Sequence, residues 1–562
     1  MSVKQYLKKV IRDILKTKEN IELTDIELVS PPNSEMGDLS FSCFELAKLL
    51  KQSPDKIGEN LTKKLEEVVD SKMIATVESV GPYVNFRFSG KYFIEQLREV
   101  LLAGEDWGRG DLLAGKVFLS EHTDPNLFKE FHIGHLMTNA IGESLTRLAG
   151  FNGADVKQVT FQGDVGLHVA KTLYGMKNFL AELPNEGDVW QKQAFLGKCY
   201  AWGNEQYEIN EDAKRAIVGI NKKVYSGNDE EQDKLYQQGK KWSLEYFENI
   251  YKIVGSKFDH YFLESETAEV GRKIAMENLG KVFVESQGAV IFPGSEYGLH
   301  DRVFINSVGL PTYEAKDIGL FVKKWERYNP FLSLVVTGGE QKQYFAVVKK
   351  AAGLINKEWE EKTVHLAHGT LRLKDGKMSS RSGKIIRAKK WIDETTEIIL
   401  EKMKNKDKKV AEKVALAAIK YSVLKVQAGK DIVYNEKESL SFEGDTGPYL
   451  QYTYVRAKSV LRKVKDKISF SDDLSFSEIP SVGKLIGEFP EVVEKSLRNY
   501  SPHIVANYLH RLAMEFNSFY GAVKILDKNN PDYLYNLCLV KATAQILKNG
   551  LYLLGIEVVE EM

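Results

Sequence analysis

The chain has 562 residues, 43% of them hydrophobic, and its 78 Lys and Arg are matched by 78 Asp and Glu. At about 150 residues per domain this length gives three to four domains, and 27 Phe with 26 Tyr supply enough apolar surface to exclude a disordered chain. No run of about eighteen apolar residues occurs, so no membrane-spanning helix is supported, and Cys43, Cys199 and Cys538, far apart and without a CxxC, exclude a disulfide framework and cysteine zinc sites. A reducing, cytoplasmic location is expected.

In chain order, the basic N-terminus reads as a first helix with Val3, Leu7, Val10, Ile11 and Leu15 on one face. Residues 1–110 combine helical spacing (Phe44, Leu46, Ala47, Leu49, Leu50) with an alternating strand at 83–88, which predicts a small α+β domain. After a Gly-rich connection at 104–111, residues 111–390 repeat strand, glycine and helix through 117–120, 156–161, 289–292 and 332–337. That repeat predicts a Rossmann-like parallel α/β sheet, with a helical insertion at about 170–255. Residues 391–562 read as almost wholly helical, as at Leu509, Leu512, Phe516 and Phe519. Two basic runs, 402–409 and 456–467, each read first as a solvated helix face, and together they hint at RNA.

Two stretches carry chemistry. Glu121-His-Thr-Asp-Pro-Asn-Leu-Phe-Lys-Glu-Phe-His-Ile-Gly-His135 follows the first strand and precedes a helix. His132 and His135, spaced i, i+3 around Gly134, can face one side of a helix N-terminus, where free N–H groups and the helix dipole attract phosphate. The same HxxH also fits half a metal site or two capping histidines; His365 and His368 repeat it, and with no third ligand nearby zinc is disfavoured. The second stretch, Gly376-Lys-Met-Ser-Ser-Arg-Ser-Gly383, has the glycines, hydroxyls and cations of a phosphate-covering loop, or of a plain basic turn. No Walker A spacing occurs. Tyr313 and Asp317, at i, i+4, share one predicted helix face, an aromatic wall and an acid suited to a guanidinium.

HIGH after the first strand of a parallel sheet, with KMSS about 240 residues later by the spacing above, resembles the class I aminoacyl-tRNA synthetases. In detail the chain resembles arginyl-tRNA synthetases. The similarity is carried by Asp124-Pro-Asn through His135, Phe161-Gln-Gly-Asp-Val-Gly, Phe258-Asp to Glu264-Ser-Glu, Gly309-Leu-Pro-Thr-Tyr-Glu-Ala-Lys-Asp, Gly376 to Gly383, and Phe442-Glu-Gly-Asp-Thr-Gly-Pro-Tyr-Leu-Gln-Tyr with Arg456. It extends to Gly37-Asp38 and Gly81-Pro-Tyr-Val-Asn-Phe near the start and to Lys548-Asn-Gly-Leu-Tyr-Leu-Leu-Gly-Ile and Met562 at the end.

The resemblance implies an arginine–tRNA ligase that activates L-arginine with ATP, Mg²⁺ accompanying the nucleotide, and transfers it to the terminal ribose of tRNA(Arg), activation needing bound tRNA. It implies catalytic roles for His132, His135, Lys129 and Lys377, and ATP contacts from His132, Gly134, His135, Lys377, Met378, Ser379 and Ser380. Arginine would be held by Glu121, Asn126, Glu264, Tyr313, Asp317 and Gln341, with Glu121 a candidate for the ammonium, and tRNA by Tyr449, Tyr452 and Arg456 in an anticodon-binding domain. Tyr454 joins that aromatic group, and core packing is the competing reading for any one of these tyrosines. The N-terminal domain would read the tRNA elbow, and a monomer is expected. Four departures stand out: Ser380 in place of the second lysine of KMSKS, with Lys129 or Arg381 as substitutes; Asp124 in place of serine, an added negative charge near ATP; Val165 in place of tryptophan; and Tyr344 in place of histidine. Rival readings are another HIGH-type nucleotidyltransferase, which would need no helical C-terminal domain, and a non-catalytic RNA-binding paralogue.

Overall fold

The computed structural model describes all residues except 1–2, 24, 228, 375–385, 465–473 and 475. They divide into two compact units, one of Met1–Gly108, Arg456–Glu491 and Arg511–Asn549, the other of Arg109–Val455, Val492–His510 and Gly550–Met562.

In the first unit the i, i+4 stripe does what its spacing predicts. Val3, Leu7, Ile11, Ile14 and Leu15 are buried along the helix Val3–Glu19, with Leu7 and Ile11 fully inside and Val10 at the margin of the same cluster. The helix packs with an antiparallel sheet in the order Leu28–Val29, Leu39–Ser42, Tyr83–Phe88, Ile74–Val80. Tyr83–Phe88 is central, and burial of Val84 and Phe86 anchors it.

The second unit is built on five parallel strands: β1 (Val117–Glu121), β2 (Asp155–Gln162), β3 (His260–Leu263), β4 (Leu332–Gly338) and β5 (Thr363–His368), in the order β5-β4-β1-β2-β3. After β1 the chain runs outward to β2 and β3, then returns to the other side of β1 for β4. The switch point therefore lies between the C-terminal ends of β1 and β4, where sheets of this topology leave a crevice for ligands. Helix α1 (Ile133–Phe151) follows β1, helix α2 (Glu264–Glu277) follows β3, and helix α3 (Tyr313–Tyr328) precedes β4. Between β2 and β3 lie the helices Leu167–Asn178, Val189–Ile209, Glu211–Ser226 and Glu230–Val254, the expected insertion.

The expectation that 289–292 joins the parallel sheet is corrected. Ala289–Phe292 pairs antiparallel with Val284–Ser286 and Arg302–Ile305 in a separate three-stranded sheet. The reason is local: Gln287 and Gly288 both have positive φ, 49° and 76°, and close a two-residue hairpin, whereas a parallel partner needs a crossover of a dozen or more residues.

Helices α2 and α3 touch backbone to backbone. A Cβ on Gly271 would stand 1.7 Å from the carbonyl oxygen of Ala315, and one on Gly319 would stand 2.1 Å from that of Thr267. Only glycine at both positions allows this approach, and it brings Glu264 and Asp317, at the leading ends of the two helices, to the same edge of the sheet. Gly271→Ala should force the helices apart and cost about 1–3 kcal/mol, the range for overpacking a tight core. Urea unfolding checks this, and an unchanged midpoint would mean that the helices do not touch in solution.

Candidate active site

The loop leaving β1 carries the first set of residues. Thr123, Asp124 and Phe128 all have positive φ, a backbone conformation that non-glycine residues adopt only when their surroundings enforce it. Asp124 shows the enforcement: its Oδ1 accepts the Phe161 N–H at 2.7 Å, tying the loop to β2. Burial, with Glu121 nearby, pushes its pKa well above the usual carboxylate range. Burial thus disfavours the added charge expected at this position, and the residue acts as a backbone tie. Asn126 pairs with Gly163 across the ends of β1 and β2, and a Cβ on Gly163 would lie 2.2 Å from Asn126 Oδ1 and 3.2 Å from Glu264 Oε1. Asn126 and Glu264 thus flank one bare Cα.

The two histidines open α1 as a reciprocal cap. Gly134 N–H donates to His132 Nδ1 at 3.1 Å, His132 N–H donates to His135 Nδ1 at 3.2 Å, and the rings stack with centroids 3.6 Å apart. Capping and phosphate binding, posed as alternatives, are compatible here. The amides of Ile133 and Gly134 are taken, the first by the Ile386 carbonyl at 3.0 Å, so these are not the free helix donors expected. Because each Nδ1 accepts, the proton of each neutral ring sits on Nε2, leaving two Nε2–H donors. Burial, reinforced by Lys129, pushes His132 down to about 4 and His135 well below the ordinary imidazole value, so both are neutral at physiological pH. The positive charge comes from Lys129, whose ammonium lies 4.8 Å from the Tyr200 ring centroid. Lys377, Met378, Ser379, Ser380 and Arg381 lie outside the described residues. Just beyond them, Arg387 pairs with His132 and Ala388 N–H donates to the Phe131 carbonyl at 2.9 Å.

On the other wall is a cluster of four acids. Glu121 Oε2 accepts from Lys324 Nζ at 2.6 Å, Glu264 Oε2 from Lys316 Nζ at 2.6 Å, and Glu314 Oε1 from Arg302 Nη1 at 3.2 Å. The first two pairs are almost fully enclosed. Asp317, half-buried one turn into α3, has no cation partner among the described residues; the phenol of Tyr344 donates to its Oδ2. Burial, with Glu121, Glu264 and Glu314 adding repulsion, pushes Asp317 up to about 8. Glu121, expected to meet a substrate ammonium, has Lys324 as its resident partner. Tyr313 is 56% exposed, and its ring centroid lies 4.8 Å from the Lys316 ammonium. Gln341 is exposed and closes the short turn after β4.

Residues missed from the sequence complete the site. Tyr344 touches Asp317, and Lys324 stands at i+7 from Asp317 on α3, a spacing that the helical register already contained. Asp164, fully buried, accepts from Ser265 N at 2.8 Å, Ser265 Oγ at 2.7 Å, Tyr236 Oη at 3.0 Å and Lys240 Nζ at 2.8 Å. It ties the insertion to the start of α2. Val165, in the tryptophan position, is buried core.

The expected RNA contacts lie on the helix Gly447–Arg462. Tyr449, Tyr452 and Arg456 are half-buried and fall at i, i+3, i+7, on one face. Tyr449 sits edge-on to His510, Tyr452 edge-on to Phe442, and the Arg456 guanidinium lies 5.0 Å from the Tyr520 ring centroid. Tyr454 is core, with 3% exposure, and is removed from the stacking group. The 402–409 run is largely committed within the protein: Lys402 and Lys406 donate to main-chain carbonyls, and Lys408 pairs with Glu397.

Comparison with known proteins agrees with this geometry. Residues 1–88 match the arginyl tRNA synthetase N terminal domain, 97–435 the catalytic domain of class I tRNA synthetases (R), and 450–562 the DALR anticodon binding domain. The chain is 33% identical over 573 residues to the arginine–tRNA ligase of Clostridium kluyveri, covering 99% of this chain and 100% of that one. It is 32% identical over 587 residues to that of Borrelia hermsii, covering 100% and 99%. The arginyl-tRNA synthetase structure from Thermus thermophilus shares the fold over the full length of both chains, with a TM-score of 0.83 at 24% identity. A helical C-terminal domain thus accompanies a parallel-sheet catalytic domain and a small N-terminal one, and the chain belongs to the arginyl-tRNA synthetase family.

Proposed function

We infer that this chain is an arginine–tRNA ligase, which uses ATP to activate L-arginine and then transfers the arginyl group to the 3′-terminal ribose of tRNA(Arg). The observation that carries the reading is the charge arrangement at the end of the sheet: three acids with resident cations, and Asp317 with none among the described residues. A guanidinium supplies the missing charge in a planar form that one carboxylate can grip with two hydrogen bonds. Lysine could supply the charge but not the fork.

In the proposed mechanism Asp317, with Glu264 and Tyr313 beside it, orients the guanidinium, while Asn126 and Gln341 hold the carboxylate and ammonium end. The arginine carboxylate attacks the α-phosphorus of ATP in line, and pyrophosphate leaves. No protein nucleophile is involved, so rate enhancement comes from positioning and charge stabilisation. The Nε2–H groups of His132 and His135 donate to phosphate oxygens, and Lys129 and Lys377 supply positive charge. Mg²⁺ would accompany the nucleotide's phosphates, as is usual for a small cation that gives up its waters reluctantly. Residues 1–110 would read the tRNA elbow, 111–390 carry the chemistry, and 391–562 read the anticodon through Tyr449, Tyr452 and Arg456. No described helix is long and apolar enough to cross a membrane; a cytoplasmic location and a monomeric state are part of the proposal, carried by the family resemblance alone.

ATP–pyrophosphate exchange with each amino acid, with and without tRNA(Arg), tests the reading: exchange should depend on arginine and on tRNA, and exchange with lysine but not arginine would refute it. Asp317→Asn should raise the KM for arginine about 10- to 100-fold, the loss of one charged hydrogen bond. An unchanged KM would mean that the pocket is misassigned. Since only the ionised carboxylate pairs with a guanidinium, kcat/KM for arginine should fall about tenfold per unit as pH drops below about 8, and Asp317→Asn should abolish that slope. A flat profile from about pH 6 to about pH 9 would mean that Asp317 is already ionised in the free enzyme.

A further inference from the structure

The pocket has a guanidinium of its own. Arg302, on the strand Arg302–Ile305, places its guanidinium carbon 5.3 Å from the ring centroid of Tyr344 while pairing with Glu314. The phenol of the same ring donates to Asp317. One side chain therefore touches both the resident guanidinium and the acid that has no cation partner among the described residues. Arg302 is about one-third exposed and pairs with one carboxylate, whereas Glu314 is nearly buried, so it is the arginine that can swing. A carboxylate set among three other acids sits in a negative field that draws any cation within reach, and a planar guanidinium is its best partner. Left unobstructed, Arg302 would compete with the substrate using the same chemical group.

We propose that Tyr344 is a specificity-determining positioning residue, whose ring keeps Arg302 on Glu314 and so reserves Asp317 for the guanidinium of the substrate. The proposal rests on the reading of Asp317 as the arginine partner. Tyr344 stands where the resemblance expects histidine, and its longer phenol reaches the carboxylate while its ring covers Arg302. The hydrogen bond also fixes Oδ2, leaving Oδ1 for the incoming substrate.

A double-mutant cycle on the full chain, read by tRNA(Arg) aminoacylation, tests it. Tyr344→Ala should raise the KM for arginine about tenfold or more with kcat changed less than about threefold, because uniform binding is lost and chemistry is not. In an Arg302→Gln, Glu314→Gln background, which removes the competitor and its partner together, the same substitution should change KM less than about threefold. The same factor in both backgrounds would overturn the proposal. Tyr344→Phe keeps the ring and loses only the phenol hydrogen bond to Asp317, so it should raise the KM for arginine by clearly less than Tyr344→Ala does; a loss as large as that of Tyr344→Ala would assign the effect to the phenol hydrogen bond and overturn the role of the ring. If Tyr344→Ala does not fold, Tyr344→Val opens the same path with a smaller void and is read identically. Asp317→Asn, measured alongside, separates the two levels: no KM effect there refutes the pocket itself, whereas a large effect without background dependence refutes only the competition by Arg302.

Discussion

Charge pairing in a confined space governs this catalytic unit. Four carboxylates converge where β1 ends and α2 and α3 begin, and burying an unpaired carboxylate costs several kcal/mol. Lys316, Lys324 and Arg302 meet that cost for Glu264, Glu121 and Glu314. The geometry depends on the bare approach of Gly271 and Gly319, which sets the spacing of α2 and α3 so that an acid from each enters the same pocket. Among the described residues the cluster is one cation short, so the site is defined by charge. It also means that a change at any of the three resident cations would be felt at Asp317, since a newly unpaired neighbour would push its proton affinity higher still.

The opposite wall solves a different problem with the same economy of groups. His132 and His135 cap the helix they belong to, and the capping holds each imidazole in the tautomer that presents Nε2–H. Structure and chemistry are thus one hydrogen-bond set. Buried and near Lys129, the rings stay neutral, so in the proposed mechanism they would donate to phosphate without adding charge, and charge neutralisation would fall to the lysines. Donors whose protonation does not change near neutrality leave Asp317 as the described group of the two walls that titrates there.

Much of this was legible in the residues. Spacing of 3.6 and 2 gave the first helix, the strand at 83–88 and the parallel strands, because burial of one face enforces those periods. The strand at 289–292 was found but assigned to the wrong sheet, since strand character alone does not say which partner is reached; the two positive φ values at 287 and 288 decide it, and Gln287 gave no hint of its own. Asp317 was visible through its place one helical turn from Tyr313. Its hydrogen-bond partner was not, because Tyr344 lies 27 residues away on another helix, and Lys324 reaches Glu121 across 203 residues. Asp124 could not be understood from charge either, since what disfavours its charge is burial beside Glu121.

On the proposed reading, helix α3 carries the amino-acid side of the site almost alone. Tyr313, Glu314, Lys316, Asp317 and Lys324 all stand on it, and three of its side chains reach acids or cations from β1, from α2 and from the small antiparallel sheet. The phosphate side is carried by α1 and the loop before it. The two helices begin at the same edge of the sheet because each runs antiparallel to the strand it is joined to, α1 after β1 and α3 before β4. Choice of amino acid and handling of phosphate thus rest on separate helices that meet only over two adjacent strands. A substitution on α3 should therefore alter which cation is held while leaving the imidazole pair intact, and the reverse holds for α1. The strands between them carry the constraint common to both: shifting β1 against β4 by one residue would turn Glu121 to the opposite face and break its pair with Lys324.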